Sequence, residues 1–197
     1  AGHMTARRSL LLAALVAALQ IGFLGWMIVG RAAVLRDGRE VLLKVEPVDP
    51  RDLLRGDYVR LGYEISQIPG ELVKNIPAAP AGLGKMPIFV RVEPGTDGIW
   101  KLKAASLGDP LEPPPAANEV DIRGQVESWN VSETAGSVIR PTFGLERFYL
   151  PEGDGRQIQT DMRERPFFVK VAVAADGTAQ IKQFLDGDTV LYSEPLY

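Results

Sequence analysis

The sequence predicts a mainly β protein: a single N-terminal transmembrane helix followed by an antiparallel β sandwich or open barrel with a few short helices. Three observations predict it. Leu10 to Val29 is an apolar run in which Gln20 is the only strongly polar residue. From Glu40 onward, short runs alternate apolar and polar side chains, the period of a half-buried strand. Asp-Gly and Pro-Gly clusters punctuate those runs, as turns do in an antiparallel sheet.

The apolar run sets the division of the chain. About 20 such residues cross a bilayer as a helix, longer than the core of a cleavable signal peptide. Residues 1–8 read as a tag remnant and short cytoplasmic tail, 9–30 as the anchor, 31–39 as a polar linker and 40–197 as an extracytoplasmic β-rich domain. Ala1-Gly2-His3 resembles a cloning remnant before Met4. Arg7 and Arg8 precede the run, and Arg31, Arg36 and Arg39 follow it. A Lys/Arg count alone therefore does not orient the helix. A basic–hydrophobic N-terminus acts as an export signal, and long domains translocate largely regardless of charge. The expectation is an N-terminus inside and a C-terminal domain periplasmic or extracellular. Within the anchor, Ala14, Ala18 and Gly22 recur every four residues on one face, the small-xxx-small pattern of helix packing, and Gln20 suits a hydrogen bond across such an interface. The lipid bilayer is the first partner expected.

In the domain, Glu40–Glu46 reads as a strand with Val41, Leu43 and Val45 on one face, and Asp49–Arg55 as a helical turn or tight loop. Pro69–Met86 reads as a long loop with room for a helical turn. Pro87–Glu93 and Ile99–Ser106 flank a hairpin turn at Pro94-Gly95-Thr96-Asp97-Gly98. The Pro113-Pro114-Pro115 stretch reads as loop or polyproline. Glu119–Trp129 alternates through Val120, Ile122, Gly124 and Val126. Ser137–Thr142 suits a strand, Leu145–Leu150 a strand or a short helix, and Gly155–Glu164 a short polar helix. Pro166–Ala174, Thr178–Leu185 and Thr189–Ser193, joined by Asp176-Gly177 and Asp186-Gly187, make a three-strand meander. The count is about eight strands.

Composition excludes several chemistries. There is no cysteine, and His3 is the only histidine. A His/Cys metal site, a disulfide and a histidine-based triad are thereby ruled out. Beyond the anchor the chain carries 20 basic against 25 acidic residues, which argues against a nucleic-acid partner. No dinucleotide or phosphate-loop fingerprint is present. No cofactor and no catalytic residue is expected.

The most patterned stretch is Gly56-Asp57-Tyr58-Val59-Arg60-Leu61-Gly62-Tyr63. Read as a strand from Tyr58 to Ile65, it places Val59, Leu61, Tyr63 and Ile65 on one face and Tyr58, Arg60, Gly62 and Glu64 on the other. The apolar set should face a core, where the Tyr63 hydroxyl needs a hydrogen-bond partner. Gly56 and Asp57 suit a turn that feeds the strand. Tyr58, Arg60 and Glu64 are left outward as candidate partner-binding residues, joined by Arg147, Phe148 and Tyr149 if those are exposed. Residues such as Phe148 and Tyr149 are more often core than surface.

Gly56, Asp57, Tyr58, Leu61 and Tyr63 match all five fixed positions of the GDYXXLXY signature, and the chain resembles that family of bacterial membrane-anchored proteins of unassigned function. Phe143–Gly153 is similar to the family's C-terminal half. The resemblance implies an inner-membrane single-pass protein with its N-terminus cytoplasmic. It also implies a multi-pass membrane protein as partner, and so an accessory subunit. A second, shorter likeness is to type I signal peptidases: Leu53, Gly56, Asp57 and Val59 after Pro50 resemble the stretch that follows their catalytic serine. No Ser, Thr or Cys occurs from Arg31 through Glu64, so the nucleophile is missing. Two alternatives stay beside the partner-binding reading. One is a carboxylate-dependent hydrolase built on Asp57, Glu64, Glu146 and Glu152. The other is a small-ligand-binding barrel.

Overall fold

The computed structural model describes residues 2–47, 58–76, 84–127, 137–149, 158, 160–162 and 164–195. One long helix, α1 (Gly2–Asp37), leads into a mainly β body. Its Arg8–Asp37 portion spans 30 residues, holds an 18-residue window with a mean hydropathy of 2.2, and is long and apolar enough to cross a membrane. The large side chains from Leu10 to Val29 are exposed on it, as is Trp26. Ala14, Ala18, Gln20 and Gly22 lie on the open surface of the same stretch.

Twelve strands follow among the described residues. They are β1 (Arg39–Pro47), β2 (Tyr58–Tyr63), β3 (Ile68–Pro69), β4 (Val73–Lys74), β5 (Lys85–Pro94) and β6 (Trp100–Leu107), then β7 (Val120–Glu127), β8 (Val138–Ile139), β9 (Arg147–Tyr149), β10 (Phe167–Val173), β11 (Ala179–Asp186) and β12 (Thr189–Ser193). Six form one sheet in the order β12-β11-β10-β1-β2-β9, and four form another in the order β4-β6-β5-β7. β3 and β8 make a two-stranded ribbon. All pairings are antiparallel except β4 with β6. The predicted antiparallel β fold with one N-terminal helix is the observed one, and it includes an open half-barrel.

Both larger sheets supply one core. Val41, Leu43 and Val45 of β1 meet Ile88, Val90 and Val92 of β5, Ile122 and Val126 of β7, and Val169, Val171 and Phe184 of β10 and β11. The alternation seen in sequence is therefore the physical sidedness of the strands. In β7 it runs strictly, with Val120, Ile122, Gly124 and Val126 buried and Arg123, Gln125 and Glu127 exposed. Gly124 has a reason to lack a side chain: a Cβ there would lie 2.9 Å from the Phe143 ring and 3.0 Å from the Thr142 carbonyl oxygen.

Several expectations are corrected. The 31–39 segment is not an extended linker; α1 continues to Asp37. Its last turns bury Ala32 and Leu35 through contacts with β10 and β11. Gly38 closes the joint, its amide donating to the Val34 carbonyl at 2.9 Å. A Cβ at Gly38 would stand 2.4 Å from that oxygen and 3.0 Å from the Val173 nitrogen. The Pro69–Met86 loop has the helical turn expected of it, a 3-10 turn at Gly70–Leu72, but it also holds β4, and β5 begins at Lys85. Leu145–Leu150 resolves into a strand at Arg147–Tyr149. Where a short helix is expected at Gly155–Glu164, the described residues Ile158, Thr160 and Asp161 are helical. The Asp49–Arg55 turn lies outside the described residues, and so do Gly56 and Asp57.

The proline-rich 109–118 segment is held by one buried arginine. Arg91 of β5 donates two hydrogen bonds to Asp121 of β7, both at 2.7 Å, the fork geometry that arginine makes with a carboxylate. It also donates to the carbonyls of Pro113 at 2.8 Å and Leu111 at 3.3 Å. The Asp121 hydrogen bond raises its pKa against the effect of burial. The segment is thus tied to the second sheet.

Candidate functional site

The motif strand β2 places its residues on two unlike surfaces. Leu61, Tyr63 and Ile65 are buried, as the period predicts. Tyr63 is 1% exposed, and its hydroxyl donates to the Leu145 carbonyl at 2.6 Å. The partner the buried hydroxyl needs is therefore a backbone oxygen of the second motif-like block. A further backbone bond runs from the Leu61 amide to the Glu146 carbonyl at 2.9 Å. β2 then pairs with β9 through Tyr58 opposite Tyr149, Val59 opposite Phe148 and Arg60 opposite Arg147. The two patterned blocks, some 80 residues apart in the chain, form one seam. Burial pushes the Tyr63 phenol well above the ordinary tyrosine range, and the negative charge of Glu146 adds to the rise.

Arg60 and Glu64 are exposed. Glu64 does not continue the strand; it opens a 3-10 turn, Glu64–Ser66. The extended backbone ends at Tyr63, yet the sidedness carries through the turn, with Glu64 exposed and Ile65 buried. The Tyr58 side chain lies outside what the structure describes. Phe148 is core, the commoner of its two readings, and does not join the outward set: it stacks on Phe184 at 5.4 Å and meets Tyr192 edge-on at 5.1 Å. Its neighbour Arg147 is exposed.

The outer side of the β2–β9 seam opens into a cleft of about 690 Å³. Arg60, Arg147, Arg123, Gly124, Thr142 and Glu146 are among its lining residues. Gly144 turns the nearby loop with a positive φ of 79°, which glycine adopts without steric cost. The Glu146 carboxylate accepts a hydrogen bond from the Phe143 amide and so closes that loop on itself. Arg123 is fixed through its backbone, its amide donating to Gly177 at 2.8 Å. Sequence reasoning missed Arg123 as a site residue because only the pairing of β7 beside the β10–β11 turn brings it near Arg60. The strict alternation of β7 marked it as outward, but not toward what.

Of the four carboxylates considered for acid–base work, Glu146 is engaged by the Phe143 amide and Glu64 is exposed on its turn. Asp57 and Glu152 lie outside the described residues. Among the described residues no group of three or more His, Cys, Asp or Glu side chains is placed to hold a metal ion.

A second cleft, of about 470 Å³, sits beside the end of α1, between the proline-rich segment and the β10–β11 turn. It is lined by Asp37, Arg39, Leu111, Glu119, Asp121 and Asp176, among others. Arg39 lies over the Trp100 ring at 5.3 Å and donates to the Glu119 carbonyl at 3.3 Å. A hydrogen bond from Lys103 holds the Glu119 carboxyl below its ordinary pKa.

No curated protein and no solved structure matches this sequence. The model of the GDYXXLXY protein family matches residues 20–184, from within α1 into β11. That match takes in both halves of the β2–β9 seam, and the chain belongs to the GDYXXLXY family.

Proposed function

We propose that the chain is a membrane-anchored, partner-binding module, an accessory subunit of a multi-pass membrane protein, with its β domain on the outer side of a bacterial inner membrane. The observation that carries this reading is the joint at the base of α1. A tether that only retains a domain needs no rigid connection. Here Ala32 and Leu35 are buried and Gly38 is in close contact with Val34 and Val173. An ion pair from Arg31 to Glu194 at 3.2 Å braces the same joint. A helix fixed to its domain sets the orientation of that domain when the helix packs against neighbours in the bilayer. The Ala14–Ala18–Gly22 face with Gln20 suits such packing, and the outward Arg60 and Glu64 supply a contact above it.

The test is purification of the full-length protein from membranes in mild detergent, with mass spectrometry of what accompanies it. A multi-pass membrane protein should co-purify, and Ala18→Leu with Gly22→Leu should reduce its yield severalfold while the chain stays in the membrane. Protease added to spheroplasts should remove the β domain and leave a membrane-bound stub. A chain that purifies alone, or a domain protected in spheroplasts, would contradict the reading.

A further inference from the structure

The second cleft, beside the end of α1, has the make-up of a ligand site. Its floor is apolar: Leu111, Val120 and Val173 are buried, and Phe89 in the same lining is half-buried. Pro110, Pro114 and Pro115 add stiff apolar walls, because proline fixes its own backbone φ. The segment that carries those prolines is held by the Arg91 hydrogen bonds to the Pro113 and Leu111 carbonyls. The volume of about 470 Å³ lies within the range of small-ligand sites, which join an apolar lining to a few polar groups. Here those polar groups are mostly of one sign. Asp37, Glu112, Glu119, Asp121 and Asp176 line the cleft, with Arg39 as the cation among them. Asp121 is engaged with Arg91, Glu119 with Lys103, and Asp176 with the Thr178 amide and hydroxyl. Arg39 is engaged too, over the Trp100 ring and on the Glu119 carbonyl. Asp37 and Glu112 are exposed. Asp37 ends α1, where the helix dipole already places a partial negative charge. A cation is favoured at that end of the helix, and an aromatic ring such as Phe89 favours a cation as well.

We propose that this cleft binds a small organic cation, with a compact apolar body on the floor of Leu111, Val120, Val173 and Phe89 and an ammonium group set against Asp37 and Glu112. An anion of the same shape would meet carboxylates on several sides, so charge decides the ligand class. The cleft is built from the last residue of α1, the first of β1, the proline-rich segment and the β10–β11 turn. It is therefore independent of any partner that engages Arg60 and Glu64.

The experiment measures binding to the full-length protein in neutral detergent micelles, with empty micelles as the blank. The probes are phenethylammonium, naphthylmethylammonium and phenyltrimethylammonium. Phenethyl alcohol and phenylacetate serve as neutral and anionic counterparts, and trilysine as a cation without the apolar body. At least one ammonium probe should bind saturably, about tenfold or more tighter than either counterpart, and weaken as salt rises. Asp37→Asn with Glu112→Gln should lower its affinity about tenfold, since the facing charges are lost. Ala175→Trp, which puts a ring into the cleft from an exposed lining position, should abolish binding. Glu71→Gln, an exposed acid outside the lining, should leave affinity unchanged. Failure of all the ammonium probes to bind wild-type protein would overturn the proposal. So would equal binding of phenethyl alcohol, or affinity that survives in the Asp37–Glu112 or Ala175 variant with circular dichroism confirming its fold. A loss in Glu71→Gln as large as in the double variant would reduce the effect to net charge and overturn it too. Tighter binding of trilysine than of any ammonium probe would overturn the small-ligand reading and assign the cleft to a basic segment of a protein.

Discussion

Arg60 and Leu61 are adjacent in β2, yet the two faces of that strand are held by different physics. On the inner face, Leu61 and Tyr63 are buried in the core, and the Tyr63 hydroxyl closes a hydrogen bond to Leu145. On the outer face, Arg60 is exposed at the edge of a basic cleft. The letters that name the family include Leu61 and Tyr63 but not Arg60. The two fixed letters whose side chains are described thus point inward, and the signature there describes how the seam folds.

Substitutions on the two faces should differ by an order of magnitude in cost. Tyr63→Ala removes a buried ring and leaves a cavity, and should destabilise by about 4 kcal/mol, as large-to-small aromatic changes in a core do. Arg91 sharpens the contrast, because it is a buried arginine where Arg60 is an exposed one. Arg91→Ala strands the Asp121 carboxylate and two carbonyls, and should cost about 3 kcal/mol. It should also release the proline-rich segment to protease. Tyr63→Phe keeps the ring and orphans only the Leu145 carbonyl, for about 1–2 kcal/mol. Chemical denaturation of the full-length protein in detergent reads all three.

pH separates the faces in another way. The folded-state pKa of Tyr63 is raised, so its contribution is fully present below about pH 10, the ordinary tyrosine value. It is lost as pH rises through the raised value. The alkaline fall in melting temperature should be smaller in Tyr63→Phe. Glu40 is lowered chiefly by its hydrogen bond from Lys182, and Asp176 chiefly by the Thr178 amide. Their contributions are present above the ordinary carboxylate range, about pH 4, and are lost as pH falls through the lowered values. Acid should therefore weaken the β1–β11 ion pair and the β10–β11 turn, where Asp176 also accepts a hydrogen bond from the Thr178 hydroxyl. A flat melting temperature across the acid limb would contradict this.

Much of the fold was legible because alternation and turn chemistry agree. The β5–β6 hairpin and the C-terminal meander followed from Pro-Gly and Asp-Gly turns between alternating runs; Gly177 and Gly187 have the positive φ their turns require. The inward set of β2 followed from period alone. The joint at α1 was not legible: Arg31, Arg36 and Asp37 read as linker by polarity, yet Ala32 and Leu35 lie one turn-spacing apart and face β10 and β11. Phe148 was ambiguous because a three-residue strand carries too little period to choose a face. The third arginine of the cleft depends on how the second sheet meets the first, which no local pattern encodes.

The smallest expected effect on stability belongs to the outer face, and it carries the functional claim. Arg60→Ala with Glu64→Ala should change stability by no more than about 0.5 kcal/mol, as exposed substitutions do. The most direct measurement is capture of membrane proteins by this double variant beside wild type, from mild detergent, with melting curves of both preparations. The account predicts matching melts and loss of a multi-pass membrane protein from the variant's eluate. Equal capture by a folded variant would contradict it, as would a variant that unfolds.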